Sequence, residues 1–127
     1  MSLKSKYQPV LDLGEKLNVT DGYVNEEPGK LKIGGTAETQ YDKDQMWDEI
    51  KRIGGEQAED IEADIKVKIT DYYTKHTVAG GESLSKISKR YYRDAMKYNQ
   101  IFEANRNILK NPDMIHPGQE LVIPFPS

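Results

Sequence analysis

Four dipeptides, Pro28-Gly29, Gly54-Gly55, Gly80-Gly81 and Pro117-Gly118, punctuate this chain, each where one run of apolar residues gives way to another. Glycine supplies the positive backbone angles of tight turns and helix ends, and proline continues neither a helix nor a central strand, so these pairs mark joints between elements. The runs between them are short. Some place apolar residues at every second position and others at helical spacing, which predicts a small mixed fold of helices and strands.

A first block runs to about Thr70. Ser5 is positioned to cap an opening helix, with Pro9 tolerated in its first turn and Tyr7, Val10, Leu11 and Leu17 near one face. Gly14 inside that run costs about 1 kcal/mol relative to Ala. A hairpin follows, with strands over 19–24 and 31–37 flanking the turn residues 25–30; Leu31 and Ile33 alternate with Lys30, Lys32 and Gly34. Thr39 with Asp42 reads as a capping box for a second helix. Its stripe is Met46, Trp47, Ile50 and Ile53, and Gly54-Gly55 ends it. A third strand alternates Ile65, Val67 and Ile69 with Asp64, Lys66 and Lys68. Two helices then cover one face of a three-stranded sheet.

After a joint at Asp71-Tyr72-Tyr73-Thr74, the second block opens with a strand at His76-Thr77-Val78, where His76 is expected to be half-exposed. Gly80-Gly81 turns the chain, and Ser83 caps a helix carrying Leu84, Ile87 and Tyr91 on one face. Asp94 caps another, with Tyr98, Ile101, Phe102 and Asn105 on its inner side. Asn111-Pro112-Asp113 ends the helical run, Pro117-Gly118 turns, and Leu121-Val122-Ile123 is a closing strand. The predicted class is α+β: an αββαβ block over residues 1–70, the joint at 71–74, a small βααβ module over 75–124, and a tail at 125–127.

Composition narrows the function. Cysteine is absent, which excludes a disulfide framework, a thiolate metal site and a cysteine nucleophile. No apolar run approaches the roughly 18 residues of a membrane span, and MSLKSKYQPV has no apolar core of a signal peptide. Residues 1–70 hold ten Lys/Arg against fifteen Asp/Glu, net −5; residues 71–127 hold eight against six, net +2. An acidic half repels phosphates, and +2 is too little for a surface that tracks them, so nucleic acid is not an expected partner.

The pieces GESLSKIS, IFEANR and IHPGQELVIP, in that order over residues 75–124, resemble a LysM module. The resemblance implies a strand–helix–helix–strand fold and binding of glycans that contain N-acetylglucosamine, such as peptidoglycan. The first block resembles the BON domain family: a strand runs into Gly34-Gly35-Thr36, then come an acid-rich helix, a glycine break and an alternating strand. That family implies binding at membranes or in the cell envelope, without shared catalytic residues. The two blocks in this order resemble the small bacterial potassium binding protein family, which implies a cytoplasmic, monomeric protein linked to potassium sensing.

Two loops are candidate walls of a glycan groove, with Gly81, Glu82, Ser83 and Leu84 on one side and Asp113, Met114, Ile115 and His116 on the other. An N-acetyl group needs an apolar contact for its methyl, here Met114 or Ile115, and loop backbone partners for its amide. The LysM resemblance implies Asp where Glu82 stands. Two distant histidines do not make a His-based metal site. The acids Asp42, Asp44, Asp48 and Glu49 read as a solvated helix face, and no EF-hand spacing occurs. Potassium is large and weakly held, so backbone carbonyls in a sharply turned segment suit it, and Gly54, Gly55 and Glu56 are the local candidate. The sequence therefore predicts a non-catalytic glycan-binding protein; the alternative is a potassium-binding protein whose first block holds the ion and whose second closes on it. No cofactor other than potassium is expected.

Overall fold

In the computed structural model, residues 2–126 are described. They form a mixed α+β protein with one three-stranded and one two-stranded sheet. The chain divides into two compact units, Met1–Thr70 and Asp71–Ser127, each with its own apolar core.

Unit 1 begins with two short helices where the sequence predicts one. Helix α1 spans Leu3–Lys6, with the Ser2 hydroxyl accepting from the Ser5 amide, and α2 spans Gln8–Lys16. The break has a local cause. Pro9 has no N–H to donate to the preceding turn, so the first helix stops and Tyr7 becomes the hinge between the two. Tyr7 is fully buried there.

Strands β1 (Thr20–Glu27) and β2 (Lys30–Ala37) pair antiparallel around a turn of two residues, Pro28 and Gly29, with Gly29 at φ +79°. The predicted loop 25–30 is thus mostly strand. Asn25, Glu26 and Glu27 gave no strand signal because every residue of β1 is exposed, so no buried face imposes alternation. In β2 the alternation is clean, with Leu31, Ile33 and Ala37 buried.

Helix α3 (Gln40–Gly54) starts at Thr39, whose hydroxyl accepts from the Asp42 amide at 3.2 Å, and buries Met46 and Ile50. It crosses over to β3 (Ile61–Val67), which pairs parallel with β2, giving the sheet order β1-β2-β3. The strand starts earlier than its charge alternation suggests because Ile61 also enters the core.

Unit 2 opens with β4 (Thr74–Thr77) and closes with β5 (Glu120–Ile123), paired antiparallel. Thr74, assigned by sequence to the joint, is a strand residue, and His76 is 8% exposed instead of half-exposed. Thr74, His76 and Val78 alternate into the core, and a polar side chain at two of these positions hid the pattern. Between the strands lie α4 (Leu84–Tyr92), a 3-10 turn at Ala95–Lys97 and α5 (Tyr98–Ala104). Ser83 caps α4 by accepting from the Lys86 amide, and Arg93 ends it in the left-handed region. Asp94 caps the 3-10 turn through the Met96 amide, so α5 starts a few residues later than expected. Val78, Leu84, Ile87, Ile101, Phe102, Leu109, Leu121 and Ile123 form the core; an apolar side chain of this kind, when fully buried, contributes about 1.5–3 kcal/mol.

Candidate functional site

Unit 2 brings its two candidate loops together through the sheet. β4 runs on to Val78, whose amide donates to Gln119 O (2.9 Å) and whose carbonyl accepts from Gly118 N (2.8 Å). The chain leaving Val78 into residues 79–83 therefore lies beside the chain arriving from residues 111–118. Gly81 sits at the exposed tip with φ +82°. Ser83 is occupied as a helix cap, and Leu84 is 2% exposed and belongs to the core. On the facing loop Asp113, Met114 and His116 are exposed, while Ile115 packs partly against the core. Asn111 shapes this loop by accepting from the amides of Asp113 (side chain, 2.8 Å) and Met114 (backbone, 3.1 Å). The surface open to a ligand is thus Gly81, Asp113, Met114 and His116.

Glu82 points inward. Its Oε1 accepts from the Ala79 amide at 2.6 Å and from His76 Nε2 at 2.8 Å. A carboxylate only accepts, so the Nε2 proton follows, and Nδ1 is left to meet the Tyr91 hydroxyl at 2.7 Å. The His76–Glu82 pair ties the base of the 79–83 loop to β4 and α4. Sequence reasoning missed this role for His76; the signal available was its place two residues from both Thr74 and Val78 on one strand face.

The Ala79 amide, and after it the His76 ring, hold the Glu82 carboxyl below its usual value. A depressed carboxyl contributes stability above its unfolded pKa of about 4.3, and that contribution is lost as pH falls through the lower native value. Glu82→Ala is expected to cost about 2 kcal/mol at pH 7, the worth of a charge-assisted hydrogen bond. The gap in melting midpoint from the parent should close as pH falls below about 4, and a gap that stays constant with pH would contradict the assignment.

In unit 1 the Gly54–Glu56 break caps α3. The Gly55 amide donates to Lys51 O at 2.8 Å with φ +84°, and Gly55 and Glu56 are exposed. The last carbonyls of a helix lack intrahelical partners and carry its negative end. The segment that follows the turn is anchored from outside. The Tyr7 hydroxyl donates to Asp60 Oδ1, and Lys6 Nζ pairs with Asp60 Oδ2 at 2.5 Å. Lys6 and then Tyr7 lower the Asp60 pKa; burial and then Asp60 raise that of Tyr7 well above the usual phenol value. A Cβ on Gly54 would lie 2.1 Å from the Tyr7 oxygen, so Gly54 makes room for the anchor. Among the described residues no group of three or more His, Cys, Asp or Glu converges as a metal site, and no helix is long and apolar enough to cross a membrane.

This is a small α+β protein whose second unit carries the LysM pattern: residues 76–124 match the family model of the LysM domain. Among curated relatives, the potassium binding protein Kbp of Escherichia coli is 39% identical over 98 residues, covering 76% of this chain and 64% of that protein. An uncharacterized protein of Deinococcus radiodurans is 53% identical over 51 residues, covering 40% of this chain and 19% of its own length. The chain thus spans less than two thirds of each of these relatives. The 98-residue likeness is longer than unit 2 and reaches well into unit 1.

Proposed function

We propose that this chain is a non-catalytic, cytoplasmic, monomeric binding protein that takes up potassium through backbone carbonyl oxygens of unit 1, at the turn formed by Gly54, Gly55 and Glu56. The observation that carries this reading is the likeness to a potassium binding protein across both units. Geometry supports it: the turn lies at the negative end of α3, has the Tyr7 hydroxyl against Gly54, and belongs to a unit of net −5. We read unit 1 as BON-like on its helix, hairpin, helix, strand order. Charge does not separate sodium from potassium, so selectivity resides in oxygen number and placement. The test compares melting midpoints in potassium and sodium chloride at equal ionic strength, where simple screening cancels. A higher midpoint in potassium is expected, worth about 2.7 kcal/mol at a hundred times the dissociation constant. Equal midpoints would sink the reading.

The LysM match and the apposed loops of unit 2 favour a second reading, in which the groove beside Gly81 and Met114 takes an N-acetylglucosamine-containing glycan. Met114, 56% exposed, offers the apolar contact for the N-acetyl methyl, and the loop amides and carbonyls offer the polar ones. Titration with chitin oligomers, followed by amide NMR, is expected to move Gly81, Met114 and Ile115 first. No shift at millimolar sugar would count against it.

A further inference from the structure

A cleft in unit 1 lies between α2 and the start of the hairpin, with a volume of about 450 Å³. That volume is within the roughly 300–1,000 Å³ typical of small-molecule pockets. Its floor is apolar: Val10, Ile33, Met46 and Ile65 are buried residues of the unit's core. We infer that this cleft binds a small uncharged molecule with an apolar body.

Two observations carry the assignment. The first is Gly14. It is buried in the middle of α2 and lines the cleft. Glycine inside a helix costs about 1 kcal/mol against alanine and is usually kept where another element approaches closely. Here only side-chain methyls approach, and no backbone does. A Cβ would meet only the Met46 methyl at 3.4 Å and a Val19 methyl at 3.9 Å, both ordinary contacts. Close backbone packing therefore does not require the glycine, and its missing side chain leaves the cleft deeper at that point.

The second is charge. The rim carries Lys4, Glu15 and the Gln8 amide, one cation against one anion, in a unit whose net charge of −5 disfavours anions. The floor side chains are apolar and the further polar side chain of the lining, Tyr23, is a neutral phenol, so a charged group entering the floor would meet no opposite charge to offset its desolvation cost. An uncharged ligand with its hydrogen-bonding end at Gln8 and its apolar body on Met46 and Ile33 fits both features.

The test uses N-phenyl-1-naphthylamine as an uncharged fluorescent probe and 8-anilino-1-naphthalenesulfonate as the same ring system with a sulfonate. The intact chain is expected to bind the uncharged probe at one saturable site, with the sulfonate at least about tenfold weaker. Gly14→Leu fills the cleft and should weaken the uncharged probe at least about tenfold without lowering the melting midpoint. Should that variant melt lower than the parent, Val24→Trp narrows the mouth from an exposed strand position and is expected to weaken the probe in the same way. Absence of saturable binding, unchanged affinity in a folded Gly14→Leu or Val24→Trp, or equal affinity for the sulfonate would each overturn the inference.

Discussion

Asn105→Ala is expected to destabilise unit 2 by roughly 3–5 kcal/mol. Asn105 is 2% exposed, and its amide joins α5 to β5. Nδ2 donates to Ile101 O at 2.7 Å and to Val122 O at 2.8 Å, while Oδ1 accepts from Val122 N at 2.8 Å. One side chain thus stands in for a missing strand neighbour, satisfying both backbone groups of Val122. Truncation leaves those groups unpaired at about 1–3 kcal/mol each, so the loss is roughly 3–5 kcal/mol. A unit of this size has little stability to spare, and its midpoint should fall by about 15 °C or more. The amide resonances of residues 76–123 report it directly. A loss below about 1 kcal/mol would mean that water replaces the amide and that the clamp is not structural.

Tyr7→Ala is expected to cost unit 1 about 3–5 kcal/mol, the range for emptying a fully buried aromatic site. Tyr7→Phe isolates the hydroxyl and should cost about 1–2 kcal/mol, because Asp60 keeps Lys6 but loses its second donor. pH separates the two contributions. The raised Tyr7 pKa means that stability is fully present below the unfolded value of about 10 and falls as pH rises past it, and Phe removes that alkaline loss. Gly54→Ala supplies a sign test. Helix propensity alone predicts a gain of about 1 kcal/mol, whereas the collision with the Tyr7 oxygen predicts a loss of about 1–3 kcal/mol. The double variant with Tyr7→Phe should recover most of that loss. Equal effects of Gly54→Ala in both backgrounds would show that the tyrosine is not what keeps position 54 small.

Where one face is buried and the other wet, the sequence states the element plainly. Leu31 and Ile33 in β2, Met46 and Ile50 in α3, and Leu84 and Ile87 in α4 carry their period, and the caps at Thr39, Ser83 and Asp94 make hydrogen bonds that their residue types predict. The signal fails where burial does not alternate. β1 has no buried face, and so Asn25 to Glu27 read as a loop. It fails again where a buried position is polar. His76 is satisfied by Glu82 and Tyr91, partners six and fifteen residues away, which composition does not announce. Asn105 was legible as an inner-face residue, and only its partner Val122, seventeen residues away, was not. The candidate loops were legible from their turn residues. That Glu82 turns inward to His76, away from the candidate surface, was not, because the residue types of the turn do not separate its core-facing from its surface-facing positions.

The pairing of β4 with β5 decides how unit 2 would respond to tension. The chain enters at Thr74 and leaves at Ile123, and these two residues are opposite each other in the ladder. A pull on the flanking chain therefore loads one rung at a time, beginning with Thr74 and Ile123 and ending with Thr77 and Glu120, like a zipper opened from its tab. The Tyr73 amide on Ile123 O and the Tyr92 hydroxyl on Pro124 O clasp that open end. Force along the strands would have had to shear every rung together; here it peels them in turn, so the ladder gives way at lower force than the same rungs loaded in shear.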